Sequence, residues 1–193
     1  VNQFLPGYVL SNVFAHAHLA AIGWVCMTVV GLGYRLLPMV IPAASPSGRT
    51  TYLSALLLEV GVLGLFAALL MRSERTALFA ILIIAGFACF GGHVVWMLAH
   101  QKRQPHGKRG PDFAMVHIGA AGCWLLAACV CGLILAALPM SESTLRAALL
   151  YGVFGLVGFL AQIIVGFEAR ILPIAAVYWA LERNGGVPSG SPV

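Results

Sequence analysis

Charged residues are scarce in this chain of 193 residues, which contains 11 Lys and Arg and 6 Asp and Glu. Charged residues make up 9% of the chain, whereas soluble domains contain roughly 25%. This deficit excludes an ordinary soluble globular protein. The few cations are dispersed over short loops, so no basic face exists for a duplex, and we expect no nucleic-acid partner.

Five cysteines are present, and no pair of them has the spacing of a covalent haem site. All five cysteines lie in apolar stretches, where free Cys behaves as a small hydrophobe. A Cys-x-x-Cys-His motif is absent, so attachment of a c-type haem is not expected. We therefore expect free thiols and no disulfide.

Hydrophobic residues are abundant and make up 61% of the whole chain. They are grouped into five apolar stretches of about the 20 residues that a bilayer requires. The sequence predicts an all-α integral membrane bundle of five transmembrane helices, in a single domain. The predicted spans are about 11–37, 52–71, 76–100, 113–138 and 145–172, with a polar tail at 184–193. Ser11 is predicted to cap the first helix, and Pro38 follows its predicted end.

Lys and Arg residues are divided unequally between the two sides of the predicted membrane. Six lie on the side of the loop 101–112 and the C-terminus, and three lie on the opposite side. Cytoplasmic loops carry an excess of these residues. We therefore expect a protein of the bacterial inner membrane, with its N-terminus outside and its C-terminus in the cytoplasm.

The first and the fifth spans contain a weak internal repeat. Gly23-Trp24, Val30-Gly31, Arg35 and Leu37-Pro38 recur 135 residues later. The later copies are Gly158-Phe159, Val165-Gly166, Arg170 and Leu172-Pro173. The repeat predicts two helices of one design flanking three others, and repeated membrane folds often place a site where the repeats meet.

Histidines within the spans are the main candidates for a functional site, because an ionisable side chain in hydrocarbon is costly. His93 and His117 lie near the same side of the membrane, each within roughly 10 Å of a helix end. Nearby glycines would let a flat macrocycle approach the backbone. We predict these two residues as axial ligands of haem b. The alternative is that they only bond to neighbouring helices.

His16 and His18 form a second pair of candidate haem or metal ligands, near the opposite side of the membrane. On a regular helix two residues turn the side chain by about 200°, so the two histidines do not bind one metal together. The face of His16 contains Ala20 and Gly23 and suits close packing. The face of His18 contains Ile22 and is the one expected to meet lipid. A haem here would require a further ligand.

Charged residues within the spans extend the candidate site. Glu59, Glu168 and Arg170 are not expected to face lipid and are candidates for pairing with one another. Glu59 and Glu168 are also possible proton or quinone contacts. Arg35 and Arg170 each precede a proline by three residues, where a guanidinium could bind a haem propionate or an anionic headgroup.

The first span carries a recognisable pattern. Residues 14–25 read Phe-Ala-His-Ala-His-Leu-Ala-Ala-Ile-Gly-Trp-Val, and residues 31–39 read Gly-Leu-Gly-Tyr-Arg-Leu-Leu-Pro-Met. This resembles small membrane proteins related to haem-copper oxidase subunit I and, more loosely, NnrS-like haem proteins. The resemblance implies haem or metal binding by membrane histidines, with His16 or His18 at the position of a family ligand. Oxidase subunit I has about twelve spans and a histidine cluster for copper, and neither is found here.

The sequence is therefore interpreted as that of a non-catalytic electron-transfer subunit that carries one haem b, with a second haem as an option. Its expected partners are membrane lipids, other subunits of a redox complex, and a quinone or cytochrome c. No catalytic residue is predicted. Two alternatives remain open: a haem-free membrane anchor or assembly subunit, and a metal or proton transporter that uses His18, Glu59 and Glu168.

Overall fold

The computed structural model describes residues 6–40, 43–101, 113–139 and 141–183. Within these ranges, five helices are long and apolar enough to cross a membrane. This confirms the predicted all-α membrane bundle. Most of the predicted basic loop, residues 102–112, and the polar tail 184–193 lie outside the described residues.

Five helices follow one another along the chain. Helix α1 covers residues 6–40 and comprises an α segment Pro6–His18, a π segment Leu19–Cys26 and an α segment Met27–Val40. Helices α2, α3 and α4 are Gly48–Leu70, Thr76–Ala99 and Phe113–Ala137. Helix α5 comprises Glu142–Val153, a π segment Phe154–Ala161 and Gln162–Arg183.

The ends of α1 and α5 differ from the prediction. Ser11 is not a cap: α1 begins at Pro6, and the Ser11 hydroxyl donates a hydrogen bond to the Leu69 carbonyl. Pro38 and Pro173 lie inside helices that continue to Val40 and Arg183. Proline removes one backbone donor, but membrane helices tolerate this loss when surrounding groups satisfy the freed carbonyl. Proline therefore did not mark the helix ends here.

Helices α2 and α3 form the tightest hairpin of the bundle, and two glycines allow their close approach. A Cβ atom at Gly61 would lie 2.9 Å from the backbone nitrogen of Ile83. A Cβ atom at Gly86 would lie 2.7 Å from Leu58 Cγ. A hydrogen bond also joins the two helices: the Ser54 hydroxyl of α2 donates to the Gly86 carbonyl of α3 at 2.9 Å. Small residues commonly permit such backbone contacts between membrane helices.

All five helices contribute to one hydrophobic core. Its buried residues include Ile22 of α1, Leu58 of α2, Phe87 of α3, Ala121 of α4 and Phe159 of α5. Helix α1 packs mainly on α2, α5 packs on α4, and α3 contacts α4. A side-chain hydrogen bond between α1 and α5, described below, joins the first helix to the last. The bundle therefore brings the two halves of the predicted repeat together.

A second, smaller core lies at the end of the bundle where α1 and α3 end and α2 and α4 begin, here called the C-terminal side. Ala43 and Gln101 form an isolated antiparallel bridge there. Leu37 and Met97 are 2% and 0% exposed, and Met115 packs against them. The C-terminal parts of α1 and α3 and the start of α4 therefore meet on this side.

The two π segments support the internal repeat. They begin at residues 19 and 154 and each contains eight residues, and the sequence motifs are displaced by the same 135 residues. π-helical turns are rare in proteins, and those that occur are often found at functional sites. Because the same irregularity occurs at the same place in both copies, a common helix design explains the repeat better than chance recurrence of Gly, Val and Leu.

Candidate functional site

His93 is positioned by helix α1. It lies on α3 near the C-terminal side, six residues before the helix ends at Ala99. Its Nδ1 atom is 2.8 Å from the Tyr34 hydroxyl, and the two rings meet edge to face with centroids 5.5 Å apart. The ring of Phe90 packs against the ring of Tyr34 in a T-shaped contact. Tyr34, itself held by Phe90, therefore fixes the orientation of the imidazole.

His117 is positioned by helix α5. It lies four residues after the start of α4 at Phe113, beside the buried face of the helix, which contains Ala114 and Ala121. Its Nδ1 atom is 2.5 Å from Gln162 Oε1. An amide oxygen only accepts hydrogen bonds, so Nδ1–H of His117 donates to it. The neutral imidazole then carries its free lone pair on Nε2.

His93 and His117 therefore share one arrangement. Each Nδ1 is bound to a side chain of a neighbouring helix, and each Nε2 lacks a hydrogen-bond partner within the described residues. No buried side-chain nitrogen or oxygen in that part of the chain is without a partner. The two Nε2 atoms must consequently lie next to accessible space. An imidazole oriented through one nitrogen and open at the other is the usual arrangement of a metal-binding histidine.

His18 differs because both of its nitrogens are bound. Nδ1 is 2.7 Å from the Phe14 carbonyl and Nε2 is 3.2 Å from the Tyr151 hydroxyl. The carbonyl only accepts, so Nδ1–H donates to it and the Tyr151 hydroxyl donates to Nε2. The two rings also stack, with centroids 5.6 Å apart. This pair joins α1 to α5, and a ligand at His18 would have to displace Tyr151.

His16 lies at the surface of the bundle. It is exposed, as is Ala20, whereas His18 is half-buried and Ile22 is 9% exposed. The prediction is therefore wrong for the histidines themselves, because His16 is the exposed one and His18 the inward one. Three other residues that regular helical spacing places on the His16 face do pack: Gly23, Met27 and Tyr34. The wider π turn that begins at Leu19 changes the alignment between residues before and after it. Faces assigned at 3.6 residues per turn do not hold across that segment.

His100 ends α3 and belongs to the surface. Its Nδ1 atom is 2.9 Å from the Trp96 carbonyl, and its ring stacks on Trp96 with centroids 4.7 Å apart. The residue is exposed. It lies directly after the last residue of α3 and has no interhelical partner within the described ranges, which makes it a matched control for His93.

The charged candidates lie at the surface of the bundle. Glu59 and Glu168 are exposed and have no hydrogen-bond or ion-pair partner within the described residues. The predicted pairing of these two carboxylates is not found within the described residues, because the packed faces of α2 and α5 are formed by other residues. Arg35 is exposed and Arg170 is half-buried, both near the C-terminal side.

The described residues contain no group of three or more His, Cys, Asp or Glu side chains that could hold a metal ion. His18, Glu59 and Glu168 are therefore not gathered into one site, as a cation transporter of the predicted type would require. A haem does not need such a group, because the porphyrin supplies four ligands and the protein supplies one or two.

Tyr34, Tyr151 and Gln162 are the site residues that the sequence did not identify as candidates. Each is a hydrogen-bonding side chain within a span, and each binds a histidine that is distant in the chain. Gln162 carried the clearest signal, because an amide is an expensive group within an apolar run. The sequence alone did not reveal which histidine each residue contacts.

Comparisons of this chain with models of known protein families, with curated proteins and with solved structures found no match.

Proposed function

We propose that this chain is a membrane electron-transfer subunit that binds one haem b, with His93 and His117 as its axial ligands. One observation carries the proposal: the two imidazoles are both oriented through Nδ1 and both open at Nε2. They lie on neighbouring helices, each close to the C-terminal side. Among the four histidines of the spans, His93 and His117 combine these features.

The surroundings of the two histidines suit a large planar ligand. A Cβ atom at Gly91, Gly92, Gly119 or Gly122 would meet no other atom within 4 Å. These glycines leave open helix surface on the same stretches of α3 and α4 that carry the two histidines, where a large ligand can approach the backbone. Arg35 and Arg170, near the same side of the bundle, are the candidates for binding its propionates through charge-assisted hydrogen bonds.

When bound, the haem would accept and release one electron. The residues of the chain have supporting roles. Gln162 holds His117 in the tautomer that leaves Nε2 free, and the Tyr34 hydroxyl orients His93 through its Nδ1 atom. Binding of both axial positions by histidine would leave no open position for oxygen, which fits electron transfer better than oxygen reduction. The chain would be a subunit of a larger redox complex and would not itself be an enzyme.

A quinone is a suitable electron partner within the membrane, and a cytochrome c is an alternative outside it. Glu59 and Glu168 are exposed on the apolar surface of the bundle, where a lipid-soluble quinone diffuses. A carboxylate there can accept a hydrogen bond from a quinol. We propose the bacterial inner membrane as the location, with the N-terminus outside, as the distribution of Lys and Arg indicates.

A haem-free membrane anchor or assembly subunit is the second candidate, and His18 favours it. Both nitrogens of His18 are bound to the protein, so this histidine acts as a link between α1 and α5. If His93 and His117 served only the same purpose, the bundle would need no cofactor. A visible spectrum separates the two candidates.

Substitution of either proposed ligand is expected to abolish b-type haem binding. The purified wild-type chain should give a reduced-minus-oxidised spectrum of haem b, quantified as the pyridine haemochrome. His93→Ala and His117→Ala should each lose that spectrum while remaining folded, because one imidazole would no longer be available. His100→Ala, directly after the end of the helix that carries His93 and without an interhelical bond within the described ranges, should retain it. Absence of haem from folded wild-type chain purified with its partners would favour the anchor.

A further inference from the structure

Helices α1 and α5, which carry the two copies of the repeat, bury opposite faces. With the 135-residue displacement, Trp24 of α1 corresponds to Phe159 of α5, and their exposed fractions are 75% and 5%. Ile22 corresponds to Val157, and here the exposed fractions are 9% and 62%. The face that α1 turns to the core is thus the face that α5 turns outward, and the reverse also holds.

In α5 the buried version of this face packs against α4. A Cβ atom at Gly158 would lie 2.6 Å from Trp124 Cγ, and one at Gly166 would lie 2.9 Å from Ile118 Cγ1. The same atom at Gly166 would be 3.2 Å from the Ala114 carbonyl oxygen, so the two backbones are nearly in contact. Small residues on α4 permit this approach. They recur every seven residues and are almost fully buried: Ala114, Ala121 and Ala128.

In α1 the corresponding face has no neighbour within the described residues. We call it the free face of α1. Its members are all exposed and occur at helical spacing: His16, Ala20, Trp24, Thr28, Gly31 and Arg35. Gly31 corresponds to Gly166, yet a Cβ atom at Gly31 would meet no atom within 4 Å. The part of the groove around Gly166 is therefore repeated at Gly31 and is open there. Gly23, the counterpart of Gly158, instead lies against α2, where a Cβ atom would be 3.5 Å from Val62 Cγ1.

We infer that the free face of α1 is a docking surface for a transmembrane helix of a partner protein, which runs antiparallel to α1 and carries small residues at the spacing of Ala114, Ala121 and Ala128. The α4–α5 interface shows that this face design accepts such a helix. Association in lipid depends on close packing and on polar contacts, since lipid removes the hydrophobic driving force between helices. The partner would also cover His16, which is costly to leave against hydrocarbon.

A second copy of this chain is a poorer occupant for the free face. The small-residue stripe of its own α4 is covered by its own α5, with Ala114, Ala121 and Ala128 at most 5% exposed. Because α5 belongs to the same chain as α4, its effective concentration at this stripe is far higher than that of a helix of another molecule. A separate partner helix with an uncovered small-residue stripe meets neither obstacle.

A peptide with the sequence of residues 113–139 provides a probe for this surface. The full-length chain would carry a donor dye at its N-terminus, the peptide would carry an acceptor dye, and both would be reconstituted in liposomes. Energy transfer should rise to saturation with the wild-type chain. It should fall at least tenfold with Gly31→Leu, because the larger side chain fills the groove. Ala88→Leu, an equally small-to-large change on the exposed surface of α3, should bind the peptide normally.

A peptide carrying Ala114→Leu, Ala121→Leu and Ala128→Leu tests the other side of the contact and should not bind. The proposal is wrong if the wild-type chain fails to bind the unaltered peptide, or if Gly31→Leu chain binds it as well as wild type. Energy transfer between two labelled copies of the chain that disappears in Gly31→Leu would overturn the choice of occupant, because a second copy would then cover the face.

Discussion

Replacing Gly166 with leucine is expected to lower the free energy of unfolding by about 3 kcal/mol. Even a Cβ atom at this position would lie 2.9 Å from Ile118 Cγ1 and within 3.3 Å of backbone atoms of α4. A backbone atom cannot move aside by changing a rotamer, so α4 and α5 would have to separate. Titration of the purified chain with a denaturing detergent, followed by circular dichroism, measures the loss.

The internal repeat provides the matched control for this variant. Gly31→Leu makes the same change at the corresponding position of α1, where a Cβ atom would meet nothing within 4 Å. We expect its stability to change by no more than about 1 kcal/mol, and in the stabilising direction, because leucine favours the helix more than glycine does. Equal destabilisation by the two variants would show that glycine is needed for the helix itself and not for the α4–α5 contact.

Replacing Gln162 with leucine is expected to weaken haem binding by about 10- to 100-fold, the usual cost of losing a residue that orients a ligand. Gln162 Oε1 accepts the Nδ1–H hydrogen bond of His117. Without this acceptor, the imidazole can rotate or adopt the tautomer that places its proton on Nε2. Haem titration of the purified chain, with the visible spectrum as readout, measures the change in affinity.

Gln162→Glu distinguishes orientation of His117 from simple packing. A carboxylate oxygen accepts the same hydrogen bond, so this variant should recover most of the affinity that Gln162→Leu loses. It should also lower the reduction potential of the haem, because a negative charge makes the imidazole a stronger donor. If Gln162→Leu binds haem as wild type does, or if both variants lose affinity equally, Gln162 does not act through His117.

The sequence predicted the membrane bundle because the physical requirement is strong and local. A span must contain about 20 apolar residues, and five such stretches are separated by polar loops. The helix ends were less predictable. Pro38 and Pro173 predicted helix ends because proline lacks a backbone N–H, yet α1 and α5 continue past both. Membrane helices tolerate a proline when its surroundings satisfy the freed carbonyl.

Which histidine faces inward was a matter for tertiary structure. Helical spacing predicted that His16 packs and His18 meets lipid, and the structure shows the reverse. The cause is the π segment that follows His18, whose wider turn cannot be read from composition or from a period of 3.6 residues. The exposure of Glu59 and Glu168 depended in the same way on which faces of α2 and α5 their neighbours cover.

The sequence by itself determined the class of protein, the number of spans, the residues that are costly in hydrocarbon and the repeat between the first and fifth spans. Those properties follow from transfer free energies and from short-range pattern. Only the tertiary structure decided that Tyr34 meets His93, that Gln162 meets His117 and that Tyr151 meets His18. These partners are between 45 and 133 residues apart, and the packing of whole helices brings them together.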